Sequence, residues 1–154
     1  HLPILIGGSG PKKTLRTAAR YGDAWNTAGS VEVVAERDAI LREHCAAVGR
    51  DPDTIERSIS FPLVIRDDPA DAEAAFLGLL AHNGVARDAA TIGAVVLLGP
   101  PAAMAAEILP FHRLGFRTVI ARLPAPYDAE TLARIGEVRE ALDRLAADEG
   151  ASPG

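Results

Sequence analysis

The stretch from Leu2 to Asn26, LPILIGGSGPKKTLRTAARYGDAWN, constrains the fold of this chain more than any other. An apolar run, Leu2 to Ile6, stops at Gly7-Gly8-Ser9-Gly10. From Pro11 a helical pattern places Leu15, Ala18 and Ala19 on one face, and Gly22 ends it. The order predicts strand, glycine loop, helix. Pro11 suits the first helical position, where its missing N–H costs nothing, and Ser9 or Gly10 precedes it as a cap. Glycines let a backbone approach a ligand closely, and the first turn of a helix offers unpaired N–H groups to an anion. Lys12 and Lys13 point the same way. Cations in a first turn oppose the helix dipole by about 0.3–1 kcal/mol each at an exposed site unless an anion sits nearby. The alternative is that both lysines simply face water. Two familiar phosphate motifs are excluded: Lys12 stands where a P-loop needs glycine, and Lys13 stands where the dinucleotide fingerprint needs its third glycine.

These residues carry a resemblance. ILIGGSGPKKTLRTAARYGDAWN is similar to the segment that opens the C-terminal half of the luciferase-like monooxygenase family, especially its branch using a deazaflavin coenzyme. Residues Ala35 to Ser58, AERDAILREHCAAVGRDPDTIERS, resemble the family's next helix and loop, and Leu97 to Pro124, LLGPPAAMAAEILPFHRLGFRTVIARLP, resemble its last unit. The resemblance spans nearly the whole chain.

Composition narrows the alternatives. At 154 residues the chain has the size of one domain, able to bury close to 70% of its unfolded surface. Its hydrophobic share of 48% and charged share of 24% are ordinary for a globular protein. No apolar run approaches the roughly 18 residues a membrane span needs, and no leader pattern precedes the first strand, so the expected address is cytoplasmic. The chain begins at His1 and enters a strand at once, which reads as a cut from something longer. The net charge of −5 argues against nucleic-acid binding. Lys12, Lys13, Arg16 and Arg20 nevertheless follow one another with no acid between them, at the glycine loop, which favours a small anionic ligand. A solvated helix face accounts for Arg16 and Arg20 better than for the lysines. Cys45, the one cysteine, excludes a disulfide and a cysteine-rich metal site, and no metal is expected. It lies on an apolar stripe with Val34, Leu41 and Val48 and reads as core packing.

Along the chain, a brief second strand is expected at Asp23–Asn26, with Trp25 packed in the core. A helix runs from a Ser30 cap to Val48, stopped by Gly49, with His44 at its boundary. Ser58–Arg66 alternates Ile59, Phe61, Leu63 and Ile65 as a third strand, and Pro62 inside it implies a bulge or an edge. Pro69–His82 reads as a helix ended by Asn83-Gly84, Asp88–Ile92 as a further turn, and Ala94–Leu98 as an extended run. This insertion is either a lid or a helical spacer. A helix follows over Pro100–Leu114, with Pro110 kinking it or starting a new turn. Thr118–Ala121 is expected as a compact buried strand. Asp128 caps a last helix with the stripe Leu132, Ile135, Val138, Leu142 and Leu145.

Four strands, near 2–7, 23–26, 58–66 and 117–123, each lead into helix. A (β/α)₈ barrel takes about 250 residues, so the chain holds half of one. The expected fold is therefore α/β, the C-terminal half of a (β/α)₈ TIM barrel of about four βα units with an insertion before the last, as one domain over 1–148 with a frayed tail at 149–154. Ignoring the resemblance, a small open parallel sheet has the same alternation. The resemblance implies an oxidoreductase that moves hydride between a deazaflavin, coenzyme F420, or alternatively FMN, and a small organic substrate. It assigns the cofactor phosphate to Gly7, Gly8, Ser9 and Gly10, with Lys12 and Lys13 as charge partners. It places the catalytic residues largely in an N-terminal half, so none is assigned here, although Tyr127 and, less well placed, His112 are available. Partners would be the coenzyme, the substrate and either a second copy or an N-terminal half. The competing expectations are a non-catalytic half-barrel that dimerises to close its sheet, and a generic nucleotide-binding domain.

Overall fold

The strand on which the sheet is built is Glu56–Ile65, buried along its length except at its first residue and at half-buried Pro62. The computed structural model describes residues 1–85 and 96–151. In chain order the elements are β1 (Leu5–Gly7), α1 (Thr14–Tyr21), β2 (Ala24–Thr27), α2 (Val31–Ala47), a 3-10 turn (Pro52–Thr54), β3 (Glu56–Ile65), α3 (Pro69–His82), β4 (Leu97–Gly99), α4 (Pro101–Arg113), β5 (Thr118–Arg122) and α5 (Ala129–Ala151). The five strands form a parallel α/β sheet with neighbours β1-β2-β3-β4, and β5 also pairs with β3. The short β4 adds a strand to the four expected. Of the extended run expected there, 94 and 95 lie outside the described residues, as does the turn expected at 88–92.

Pro62 fits inside a central strand for a simple reason. β3 pairs with β2 up to Ile59 and with β4 only from Leu63. The residue without an N–H thus takes part in neither of these two ladders.

Contacts divide the chain into two compact units. The first contains His1–Ser60 and Phe111–Ile120, the second Phe61–Pro110 and the chain from Ala121 onward. In the first, α1 buries Leu15, Ala18 and Ala19, α2 buries Val34, Leu41 and Cys45, and Trp25 is fully enclosed. The Trp25 and Phe116 rings lie 5.8 Å apart and tilted, and Phe116 meets Phe111 edge-on at 6.4 Å. Burial pushes the Cys45 thiol upward, as befits a packing residue. Val48, expected on the same stripe, is exposed at the end of α2. Asp38 takes an unforeseen place in that stripe. Its carboxylate accepts from Arg57 Nε on one oxygen and from Arg42 Nε, at 2.8 Å, on the other.

In the first unit, Val119 and Ile120 of β5 are 39% and 37% exposed and Leu5 of β1 is 53% exposed. The compact buried strand expected at Thr118–Ala121 is therefore a half-covered one. β5 pairs with β3 alone and β1 with β2 alone, so each has one edge without a neighbour among the described residues.

In the second unit, the start of α5 is fixed to β3. Fully buried Thr131 accepts the Ile65 N–H at 2.9 Å, and Asp128 caps the helix through the Thr131 N–H while holding both Arg66 terminal nitrogens at 2.9 Å. With Thr131 inward, the next residue lies about 100° around the helix. Leu132, expected in the buried stripe, is consequently exposed; Ile135, also expected there, is 36% exposed, whereas Val138 and Ala141 are buried. α4 continues through Pro110. No described helix is long and apolar enough to cross a membrane.

The Arg66 guanidinium, reinforced by the Thr131 hydroxyl and N–H, holds the Asp128 carboxyl well below the ordinary carboxylate range. Its folded-state pKa is depressed, so its stabilisation is complete above the unfolded value of about 3.9 and is lost as pH falls through and below it. Urea midpoints measured from pH 6 to pH 2 are expected to fall progressively below about pH 5. Asp128→Asn is expected to cost about 2 kcal/mol at neutral pH and to flatten that acid limb.

Candidate functional site

The glycine loop lies wholly within the first unit. β1 ends at Gly7, opposite Asn26 of β2. Gly8 then turns with φ +117°, a conformation side chains resist, and a Cβ on Gly10 would stand 2.8 Å from the Thr14 hydroxyl. Gly7 differs from both: its φ is not positive and a Cβ there would meet nothing within 4 Å. Among the described residues no packing contact demands glycine at that position.

The polar groups of the loop are sorted by direction. The Gly8 carbonyl accepts Trp25 Nε1–H at 2.8 Å, and the Pro11 carbonyl accepts His44 Nε2–H at 2.8 Å, which identifies Nε2 as the protonated nitrogen. The Gly10 carbonyl takes the Leu15 N–H at 3.1 Å, and the Lys13 carbonyl takes both the N–H and the hydroxyl of Thr17. In a trans peptide the carbonyl and the following N–H point opposite ways. With their preceding carbonyls turned toward Trp25 and His44, the Ser9 and Lys12 amides are directed away from those two side chains. Among the described residues, the N–H groups of Ser9, Gly10, Lys12 and Lys13 have no protein acceptor. Successive free backbone amides in a turn are donors of the kind that suit an anion.

Two expectations are corrected here. The helix expected from Pro11 begins at Thr14, and residues 11–13 form a turn because Leu15 reaches back to Gly10. The cap is accordingly Lys13, with no side-chain cap bond, and not Ser9 or Gly10. The Gly8 amide is also unavailable to a ligand: it donates to the Asn26 carbonyl at 2.9 Å. Gly8 shapes the loop, while Ser9, Gly10, Lys12 and Lys13 present donors.

The charges around the loop are unbalanced. Among the described residues Lys12, Lys13, Arg16 and Arg20 have no acidic partner, whereas Arg42 and Arg57 of the same unit are held by Asp38 and Asp53. A dianionic group at the free amides would meet both backbone donors and unpaired ammonium groups. His112 is half-buried in the last turn of α4, and Tyr127 is 69% exposed before Asp128. Among the described residues no hydrogen bond joins His112 to the loop, and no acid or base is assigned. Among the described residues no cluster of His, Cys, Asp or Glu could hold a metal ion. Sequence reasoning finds Trp25 and His44 but misses what they hold, because their acceptors lie 17 and 33 residues away.

A sequence model of the luciferase-like monooxygenase family matches residues 1–153. Comparison with curated proteins gives no match. Among solved structures the chain resembles a riboflavin lyase bound to modified FMN and riboflavin, at 16% identity and a TM-score of 0.72 over 92% of this chain and 43% of that one. It resembles a long-chain alkane monooxygenase at 18% identity and a TM-score of 0.67, covering 93% of this chain and 41% of that one. The coenzyme F420 dependent tetrahydromethanopterin reductase from Methanopyrus kandleri matches at 18% identity and a TM-score of 0.61, covering 81% and 45%. At these identities the likeness concerns the fold. The chain spans less than half the length of each.

His44→Ala removes the donor behind Pro11 without touching the core. It is expected to change stability by less than about 1.5 kcal/mol in urea denaturation. Its amide chemical-shift changes should concentrate at residues 11–14, and an unchanged loop spectrum would contradict the role given to His44.

Proposed function

The chain belongs to the luciferase-like monooxygenase family, and from that premise we propose that residues 1–148 supply the cofactor-phosphate half of an oxidoreductase barrel. In it, hydride passes between coenzyme F420, or alternatively FMN, and a small organic substrate. The observation that carries this reading is the sorting of the glycine loop: four carbonyls turned to donors of the protein, four amides left free, and two unpaired lysines beside them.

The residues present fit such a coenzyme. The amides of Ser9, Gly10, Lys12 and Lys13 would bind its phosphate oxygens, Gly7 would give clearance for the approach, and Lys12 and Lys13 would offset the charge. The bound flavin or deazaflavin supplies the redox chemistry; this chain contributes binding, orientation and charge. A second half would complete the barrel. The exposed apolar residues of β1 and β5, Leu5, Val119 and Ile120, support this, because they are suited to packing against further βα units. The same exposed residues also favour a second reading, a non-catalytic half-barrel that closes its sheet by dimerising.

Titration of the full chain with coenzyme F420, FMN, riboflavin and a phosphate-free deazaflavin separates the two. The phosphate-bearing forms are expected to bind at least about tenfold more tightly than their phosphate-free counterparts, an advantage that shrinks with salt. Gly7→Val should weaken that binding by about tenfold while leaving the urea midpoint nearly unchanged, since its side chain enters open space. Equal affinity for riboflavin and FMN would overturn the phosphate assignment. A stable dimer in sedimentation with no flavin affinity would favour the second reading.

A further inference from the structure

Within the second unit, an open groove of about 490 Å³ is lined by Pro62, Phe76, Leu80, Arg122, Leu123 and Pro124. Phe76 and Leu80 lie one turn apart on α3 and so share a face. Half-buried Pro62 is one of the three β3 residues between the β2 and β4 ladders. Leu123 and Pro124 follow β5, and their segment is tied to the end of α3. Asn83 donates to the Leu79 carbonyl at 2.8 Å and to the Ala125 carbonyl at 2.5 Å. The walls are thus hydrogen-bonded to each other.

The lining is apolar but for one cation. Arg122 is exposed, and its side chain has no hydrogen bond or ion pair among the described residues. Other arginines of the unit are held: Arg66 by Asp128 and Glu130, Arg134 by Asp67, Glu130 and Glu137. Among the described residues no carboxylate lines the groove to satisfy Arg122. A volume of this size is in the range of small-molecule sites, apolar with a few polar groups that fix orientation. A guanidinium fork matches the two oxygens of a carboxylate.

We propose that this groove binds a small amphipathic carboxylate, its apolar body against Phe76, Leu80, Leu123 and Pro124 and its head on Arg122. The assignment rests on the second unit alone and the coenzyme loop on the first, so each can fail without the other.

Decanoate titrated into the full chain below its micellar concentration tests this, followed through the methyl resonances of Leu80 and Leu123. Saturable shifts are expected there, with decanol and decyltrimethylammonium binding several-fold more weakly. Arg122→Gln, an exposed substitution that leaves the fold intact, should lower decanoate affinity by about three- to tenfold and leave decanol unaffected. Leu80→Trp should fill the groove and abolish both. The proposal is overturned if decanol binds as well as decanoate, if Arg122→Gln changes nothing, or if the shifts fall on the exposed apolar residues Leu132 and Ile135 instead.

Discussion

Two hydrogen bonds from buried and half-buried side chains hold the glycine loop from behind. The Trp25 indole and the His44 imidazole each take a loop carbonyl, and a peptide plane fixed at its oxygen is fixed at its N–H. The direction of the loop's free amides therefore depends on side chains bonded to its carbonyls. Trp25 is itself held by Phe116, and His44 rides on α2, whose inner face is anchored by Asp38 to Arg57 at the start of β3. The loop conformation is a consequence of the packing of the first unit, which is why a surface segment rich in glycine can present an ordered set of donors.

The same unit shows where the sheet ends among the described residues. β3 is covered on both faces and paired along most of its length, the pattern of an interior strand in a parallel sheet. β1 and β5 leave apolar side chains in solvent and one edge open. Edges of this kind invite pairing with further chain, and the chain spans less than half the length of the solved structures it resembles.

Features encoded within three or four residues were legible in the sequence. Ser30 caps α2, Pro69 opens α3 and His82 closes it, Gly22 ends α1, and Leu15, Ala18 and Ala19 face inward as their spacing predicts. Features set by distant partners were not. The start of α1 slipped from Pro11 to Thr14 because the intervening turn closes on Gly10 and is pinned by His44. The inner face of α5 is chosen by Thr131 reaching β3, which turns Leu132 outward against its hydrophobicity. Asp38 sits in an apolar stripe only because Arg57, 19 residues later, meets it there. Of the candidate site, the glycines and lysines were nameable from the sequence. Which amides are free and which carbonyls are held could not be read without the fold, and Gly8 proved to be a shaping residue whose own amide is engaged.

The central claim is that the free amides of Ser9, Gly10, Lys12 and Lys13 receive the phosphate of a redox coenzyme. The most direct measurement is the amide spectrum of the isotopically labelled chain as coenzyme F420 is added. The account predicts that these four resonances move together and saturate, while the Gly8 amide, already bonded to Asn26, moves little. Saturating shifts elsewhere with these four amides unmoved would contradict it.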